Sequence, residues 1–514
     1  MLDEAPSVNV VECIALHGKF SGKRTAFVCG ERRVTWADFN ALVDAIASRL
    51  KDKGLKKGDK VALLSLNSIE AAGVMFGVMR AGGVIVPLSV LLTPPQLASL
   101  IDDSSSQFIF CDAPLRTLIA PELAQIRIPA QRRIAIGLVR EDWTQWADFL
   151  SGPSTDNPHT DLFDEDEANI MYSSGTTGVP KGIVHDHRAR ALMALVAAAE
   201  LRIDSSAITI LVTPLFSNAT WVVLLPTVMM GGTTVMLVRF TPDEFLEAVE
   251  RERASHTLMV PIQIQSLLAS ATLRLRDTTS LRIVVTVGSA MPLPTKELFL
   301  KMLGDRLVEV YGLTEGIGTI LKPEELRLRM TSVGTPLLGT EIRVIDDAGH
   351  EVGVGQTGEI VGYCGGLMKR YHNQPQATEE AIWRDKSGRT FLRTGDMGRL
   401  DQEGYLYLLD RKKDMIISGG LNVFPVDIEA VLSQHSAVAE TCVISIPHEK
   451  WGESPLALIV RRNDAVVSEE EIREWANARL AKHQRILAVE FRDQLPRNAI
   501  GKILKQALRE PYWK

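Results

Sequence analysis

Several short runs in this chain are apolar at every position rather than at every second one. Val61-Ala62-Leu63-Leu64, Val84-Ile85-Val86, Phe108-Ile109-Phe110, Leu258-Met259-Val260 and Ile283-Val284-Val285 are of this kind. A strand with one wet face alternates apolar and polar residues. A strand without that alternation is buried on both faces, as in a parallel sheet covered by helices on each side. Between the runs lie stretches of helical period. One opens at Thr35, placed to cap a helix that starts at Trp36 with Asp38 in its first turn, and continues to Leu50. Another reads from Ile69 to Ala81. The alternation predicts a doubly wound α/β architecture. The most apolar region, residues 208–238, is interrupted by Pro214, Pro226 and Gly231-Gly232. None of its pieces reaches the roughly 20 residues of a membrane span, so it reads as buried strand, helix and strand.

The texture changes near Thr331. From there to Leu409 short strands alternate with Gly-rich turns, which predicts a small β subdomain. A second change comes at Asp410-Arg411-Lys412-Lys413-Asp414, a short charged stretch between two apolar strands. It reads as a hinge before a C-terminal α+β unit. The expected division is 1–410 with a β-rich part at 331–410, a hinge at 411–415, and a C-terminal domain at 416–514.

Composition excludes some classes of function. Across 514 residues, Lys+Arg number 57 against Asp+Glu 63, a net charge of −6, and the basic residues are scattered rather than striped. A nucleic-acid surface is not expected. Five cysteines lie far apart, odd in number and without metal-ligand spacing. They predict reduced thiols and a cytoplasmic location. The first residues, Met1-Leu2-Asp3-Glu4, lack the basic start and apolar core of a signal peptide.

The chemistry is concentrated in Ser173-Ser174-Gly175-Thr176-Thr177-Gly178-Val179-Pro180-Lys181-Gly182, which follows the strand-like Ala168-Asn169-Ile170-Met171-Tyr172. Glycines let backbone approach a ligand closely, N–H groups and hydroxyls donate, and a lysine neutralises charge. That combination suits a polyphosphate. It is not the common P-loop, in which Gly-Lys-Ser/Thr opens a helix. Pro180 has no N–H and fixes its φ, so the chain at Lys181 is not expected to begin a helix. The basic exit His185-Asp186-His187-Arg188 is a poor metal site, because adjacent loop histidines lack distant partners. Gly353-Val354-Gly355-Gln356-Thr357-Gly358 matches a dinucleotide fingerprint in letters only. A β-like segment follows it where a helix is required, so it reads as a turn.

Three further segments carry useful groups. Tyr311-Gly312-Leu313-Thr314-Glu315 puts an aromatic ring, a hydroxyl and a carboxylate at a strand end; the carboxylate suits Mg²⁺. Thr394-Gly395-Asp396 places a carboxylate at a turn, fit for the hydroxyls of a ribose. Pro496-Arg497-Asn498-Ala499-Ile500-Gly501-Lys502 projects one lysine from a tight turn, where it can meet a developing negative charge.

Taken in order, the Ser/Thr/Gly-Pro-Lys-Gly loop, Tyr-Gly-x-Thr-Glu, Thr-Gly-Asp, Asp-Arg-x-Lys-Asp and Pro-Arg-x-x-x-Gly-Lys resemble the adenylate-forming superfamily of acyl-CoA synthetases, adenylation domains and firefly-type luciferases. The resemblance covers nearly the whole chain. It implies a large N-terminal domain of two doubly wound sheets plus a small β-barrel-like subdomain, and a small C-terminal domain that rotates between two half-reactions. In the first, a carboxylate attacks the α-phosphate of Mg·ATP, giving acyl-AMP and pyrophosphate. In the second, a thiol, usually of CoA, displaces AMP. By motif matching, residues 173–178 and Lys181 would handle the ATP phosphates, with Thr176, Thr177 and Lys181 on the β- and γ-phosphates. Gly288-Ser289-Ala290, Tyr311 and Gly312 would border the adenine. Thr314 would touch the α-phosphate and Glu315 would bind Mg²⁺. Asp396 and Arg411 would hold the ribose and Lys413 would be the hinge. Lys502 would bridge the carboxylate and the α-phosphate, and Ser418-Gly419-Gly420 would line the pantetheine tunnel.

One segment departs from the pattern. Where many CoA ligases have Pro-Leu-Phe-His, this chain has Pro214-Leu215-Phe216-Ser217, followed by Asn218 and Trp221. A small Ser217 either opens the acyl pocket or leaves its cover to an aromatic such as Trp221. Asn218 stands where amino-acid-activating domains carry an aspartate, which argues against an amino-acid substrate and hints at an aromatic or hydroxylated acid. Residues 217–230, 286–292 and Gly316-Ile317-Gly318, with Gly288, are expected to line the acyl site. The expected activity is an ATP-dependent acid–CoA ligase acting on a fatty, aryl or alicyclic acid. A stand-alone adenylation enzyme loading a carrier protein would share every ATP motif. The expected partners are the acid, ATP and CoA, without nucleic acid or integral membrane association, and a homodimer is left open.

Overall fold

The computed structural model describes residues 8–122, 124–137, 143–151, 159–173, 180–419, 421–462, 465–497 and 503–513. The chain divides into two compact units. One comprises residues 1–330, 336–340 and 363–381; the other comprises 331–335, 341–362 and 382–514.

The first unit is built on two sheets. In one, the strand order is Arg370–Tyr371, Lys181–Asp186, Glu167–Ser173, Val84–Pro87, Lys60–Leu64, Phe108–Asp112, Arg133–Ile136, Thr144–Gln145. From Glu167–Ser173 onward the pairings are parallel; the first two are antiparallel. Its central strands are apolar throughout because both faces are covered. Val61, Leu63, Ile85, Phe108 and Phe110 face one core, while Ala62, Leu64, Val84, Val86, Ile109 and Cys111 face another. Register of period two thus sorts one apolar run between two cores.

The other sheet has nine strands; after Thr335–Pro336 at one edge the order is Gly318–Leu321, Leu307–Gly312, Ile283–Thr286, His256–Met259, Ile208–Leu211, Thr233–Met236, Thr25–Cys29, Arg32–Thr35, with Gly318–Leu321 and Arg32–Thr35 antiparallel to their inner neighbours and the pairings between parallel. One large core joins the two sheets through the helices Trp36–Asp52, Ile69–Arg80, His187–Leu201 and Asn218–Met230. Thr35 caps the first of these as expected: its side chain accepts from Asp38 N–H, and the Asp38 carboxylate answers at the Thr35 N–H. Residues 208–238 form the expected strand, helix and strand. Among the described residues no helix is long and apolar enough to cross a membrane.

The second unit contains an antiparallel sheet of Glu341–Ile345, Gly358–Tyr363, Thr390–Leu400 and Ile382–Arg384, with Leu406–Arg411 paired to Thr390–Leu400. The glycine-rich letters at 353–358 are a turn, closed by Gln356 N–H to the Gly353 carbonyl at 3.0 Å and leading into a strand. A further sheet, Leu421–Val423, Ile416–Ser418, Gly452–Arg461 and Val438–His448, carries Ala488–Phe491 in parallel. The helices Pro425–Leu432 and Glu469–Asn477 cover one face of it around Ile428, Leu432, Val443, Ile459, Ile472 and Ala476.

Candidate active site

The strands flanking both chemistry-bearing segments of the first unit pair antiparallel on otherwise parallel sheets. Glu167–Ser173 pairs antiparallel with Lys181–Asp186, with Tyr172 opposite Gly182 and Ser173 opposite Lys181. Lys181 therefore opens a strand and not a helix. The intervening Ser174, Gly175, Thr176, Thr177 and Gly178 lie outside the described residues. The loop's base is tied down: the Tyr172 hydroxyl donates to Asp103 Oδ2 at 2.5 Å, and His372 N–H donates to the Gly182 carbonyl at 2.7 Å.

The second hairpin is Leu307–Gly312 with Gly318–Leu321, in which Tyr311 faces Thr319 and Gly312 faces Gly318. Its turn carries Thr314, Glu315, Gly316 and Ile317, closed by Leu313 N–H to the Ile317 carbonyl at 3.0 Å. Gly316 has φ +118, and a Cβ there would lie 2.4 Å from the Gly366 carbonyl oxygen, so the 364–368 segment packs on the turn only because this residue is glycine. That segment is held by Met368 N–H to the Glu315 carbonyl at 2.7 Å and by the Cys364 thiol to the Gly316 carbonyl at 3.2 Å.

One residue that sequence reasoning missed joins the two hairpins. The strand Arg370–Tyr371 extends the first sheet, with Tyr371 opposite Ile183. The Tyr371 hydroxyl donates to Glu315 Oε1 at 2.8 Å, and Lys181 Nζ lies 4.7 Å from the centre of the same ring. A cation and a carboxylate from distant segments thus share one tyrosine. Glu315 offers a single hard-oxygen ligand. Among the described residues no three His, Cys, Asp or Glu side chains cluster as a metal cage. A lone carboxylate fits Mg²⁺ held mainly by phosphate oxygens and water, rather than by an all-protein site.

Behind the hairpins sits a buried polar network. Arg190, 3% exposed on the helix His187–Leu201, donates from Nε to Asn169 Oδ1 at 2.7 Å and from Nη1 to Asn218 Oδ1 at 2.8 Å. Its Nη2 meets His185 Nδ1 at 3.2 Å, and its guanidinium lies 4.7 Å from the Trp221 ring centre. Burial lowers the Arg190 pKa to about 9, so it stays charged at neutral pH. Burial, reinforced by the Arg190 charge, pushes the His185 pKa well down, against a hydrogen bond to the Thr314 backbone. His187 is also buried and falls to about 4, while Asp186 caps the helix by accepting from Ala189 N–H at 2.8 Å. The His-Asp-His run is therefore structural and electrostatic. Trp221 is fully buried with its indole N–H on the Leu215 carbonyl at 2.8 Å. Ser217 is buried just before the helix Asn218–Met230, and Asn67 braces the preceding loop by accepting from Leu215 N–H at 2.9 Å.

The remaining expected residues fall as follows. Gly288, with φ +99, and the exposed Ser289 and Ala290 follow the strand Ile283–Thr286. In the second unit, Asp396 and Arg411 are directly opposite on paired strands, and Arg411 Nε lies 3.1 Å from Asp396 Oδ1. Lys413 sits in the turn after Leu406–Arg411, where burial lowers its pKa. Ser418 and Gly419 end the strand Ile416–Ser418; Gly419 N–H donates to the Trp451 carbonyl at 2.8 Å. Gly420 and Lys502 lie outside the described residues. The first unit thus gathers Lys181, Thr314, Glu315, Gly316 and Asn218 through Tyr371 and the Arg190 network. The second joins Asp396 to Arg411.

Known proteins share the sequence pattern and the fold. The family model for AMP-binding enzyme matches residues 17–372, and that for AMP-binding enzyme C-terminal domain matches 427–502. A long-chain-fatty-acid–CoA ligase, FadD13, of Mycobacterium tuberculosis is 35% identical over 485 residues, 93% of each chain. A feruloyl-CoA synthase of Amycolatopsis sp is 31% identical, covering 96% of this chain and 97% of its own. The ATP-bound crystal structure of MatB from Rhodopseudomonas palustris superposes with a TM-score of 0.88 at 28% identity, over 98% of this chain and 99% of that one. The two hairpins, the paired aspartate and arginine, and these likenesses lead to one conclusion: the chain belongs to the AMP-binding enzymes, in the acyl- and aryl-CoA ligase family.

Proposed function

We propose that the protein is an ATP-dependent acid–CoA ligase acting on a carboxylic acid with an apolar body, fatty, aryl or alicyclic. The acid carboxylate attacks the α-phosphate of ATP and pyrophosphate leaves; the CoA thiolate then attacks the acyl carbonyl and AMP leaves. Residues 173–178 with Lys181 hold the ATP phosphates, with Thr176, Thr177 and Lys181 on the β- and γ-phosphates. Glu315 holds Mg²⁺, which draws charge from the phosphates when bound. Thr314 contacts the α-phosphate. Gly288, Ser289, Ala290, Tyr311 and Gly312 border the adenine, and Asp396 with Arg411 holds the ribose. Lys502 offsets the repulsion between two anions in the first step. Lys413 is the pivot that lets residues 416–514 present Lys502 first and Ser418, Gly419 and Gly420 second. Ser217, Asn218, Trp221, Gly316 and Ile317 shape the acyl end.

The observation that carries this reading is the Lys181–Tyr371–Glu315 contact. It sets Lys181, the cation proposed for the phosphates, and Glu315, the carboxylate proposed for Mg²⁺, on one ring. The reading is tested by incubating the enzyme with Mg·ATP and a panel of acids, with and without CoA. Acid-dependent pyrophosphate release accompanied by stoichiometric acyl-CoA is expected. Pyrophosphate and AMP without a CoA thioester would instead favour loading of a carrier protein.

A further inference from the structure

The hydrogen bonds at the base of the 173–182 segment close a ring. Tyr172 and Gly182 form a cross-strand pair, next to Ser173 opposite Lys181. A Cβ at Gly182 would meet Tyr172 Cε1 and His372 Cβ, each at 3.1 Å, so the tyrosine ring and the histidine both pack on the glycine backbone. Each partner of the pair is also held from outside. The helix Pro94–Asp103 leaves its last carbonyls without intrahelical donors. That of Asp103 accepts from His372 Nε2 at 3.0 Å and from Asn373 Nδ2 at 2.9 Å. A carbonyl can only accept, so the imidazole carries its proton on Nε2. The Asp103 side chain turns to the other strand, where Oδ2 accepts from the Tyr172 hydroxyl at 2.5 Å. Burial, and then the bond to Asp103, raise the Tyr172 pKa, so the hydroxyl stays a donor. The His372 N–H closes the ring on the Gly182 carbonyl at 2.7 Å. The residue before His372 is Tyr371, whose ring lies by Lys181 and whose hydroxyl meets Glu315. Ladder bonds fix register along two strands. The ring adds a helix end and a second strand as fixed points for the end of that pair.

We propose that Asp103 and Tyr172 are positioning residues for the nucleotide. Their hydrogen bond holds the two ends of the glycine-rich segment, and with them Lys181, in the geometry that receives Mg·ATP. This rests on the reading above that residues 173–178 and Lys181 hold the ATP phosphates. The ends are ordered when the chain folds, so that cost is not left to the binding step. The effect is confined to the half-reaction that uses the triphosphate. Acyl-AMP has no β- or γ-phosphate, and its conversion to a thioester does not draw on this hold.

The test measures Mg·ATP binding to the full chain by titration calorimetry, beside thioester formation from chemically supplied acyl-AMP and CoA. Tyr172→Phe should raise the Kd for Mg·ATP by about five-fold or more, the worth of one hydrogen bond. It should leave conversion of acyl-AMP within a few-fold of the parent rate. Asp103→Ala should weaken Mg·ATP binding in the same way. The double variant should bind no worse than the weaker single one, because both substitutions remove one shared contact. Asp103→Asn, whose amide oxygen still accepts from Tyr172, should recover most of the affinity. Should Asp103→Ala fail to fold, Tyr172→Phe, which removes a single oxygen, still decides. An unchanged Kd in Tyr172→Phe, fully additive losses in the double variant, or equal loss of Mg·ATP binding and acyl-AMP conversion would overturn this proposal alone. Mg·ATP binding that weakens in Tyr172→Phe, in a parent that releases pyrophosphate with no acid, would support this proposal and overturn the ligase reading.

Discussion

At the scale of single residues, Tyr371 has two tasks that substitution can separate. Tyr371→Phe keeps the ring beneath Lys181 but removes the hydroxyl that steadies Glu315. One such hydrogen bond is worth about 1 kcal/mol. The expected result is a rise of about five-fold in KM for Mg·ATP with a small change in kcat, read from initial rates at varied Mg·ATP. Lys502→Ala should reduce acid-dependent pyrophosphate release by about 100-fold or more, since it removes the charge proposed to meet the reacting oxyanions. The same variant should convert chemically supplied acyl-AMP and CoA to thioester within a few-fold of the parent rate, and equal loss of both steps would contradict its role. The glycines, hydroxyls and Lys181 proposed for the phosphates stood out in the sequence because they are concentrated in one stretch. Tyr371 did not, because only strand pairing brings it to Glu315 from a segment without other signals. Arg190 left a faint trace. It lies at helical spacing from the buried Ala194, Ala197, Ala198 and Leu201, and the sequence reading of a basic exit stopped at Arg188.

At the scale of elements, the parallel strands were readable because both-sided burial removes all alternation from them. The edges were not. The sequence pointed to parallel sheets, yet the strands flanking both candidate segments pair antiparallel: Glu167–Ser173 with Lys181–Asp186, and Leu307–Gly312 with Gly318–Leu321. Antiparallel pairing fixes the two ends of each connecting segment in register. Buried histidines on these elements make stability depend on pH. His187 begins the helix after the first hairpin and His256 begins a strand of the second sheet; burial lowers each to about 4. Between about 6.5 and 4 the unfolded chain binds protons at these positions and the folded chain does not. Stability should therefore fall as pH drops through that window, by about 1 kcal/mol per pH unit for each histidine. Urea unfolding at pH 7, 6 and 5 measures it. His187→Asn should make the slope shallower than the parent's, and an unchanged slope would show that His187 is not held neutral.

At the scale of the molecule, the chain's division of labour follows from the reaction proposed for it. Attack of one anion on another needs concentrated positive charge, and thiol transfer needs that charge replaced by an acceptor channel. Asp410, just before the proposed hinge, is ion-paired with Lys505 at 3.4 Å, and Lys505 also meets Glu429 at 3.0 Å. Burial opposes the Lys505 charge, yet Glu429 and Asp410 hold its pKa above the usual lysine value. Lys413→Pro fixes φ at the pivot. It should leave acid-dependent pyrophosphate exchange within a few-fold of the parent while slowing thioester formation by about 10-fold or more, measured by single-turnover quench. The ordered motifs made the acyl- and aryl-CoA ligase family legible from sequence alone; the buried polar network of Asn169, His185, Arg190 and Asn218 was not, because its members are scattered in the chain and assembled only in the fold. The central claim is that the acid's own oxygen attacks the α-phosphate. It is tested by turning over an acid labelled with ¹⁸O in both carboxylate oxygens with ATP and CoA, and weighing the products by mass spectrometry. The account predicts AMP carrying one labelled oxygen and a thioester carrying the other. Unlabelled AMP, or label in inorganic phosphate beside ADP, would contradict it.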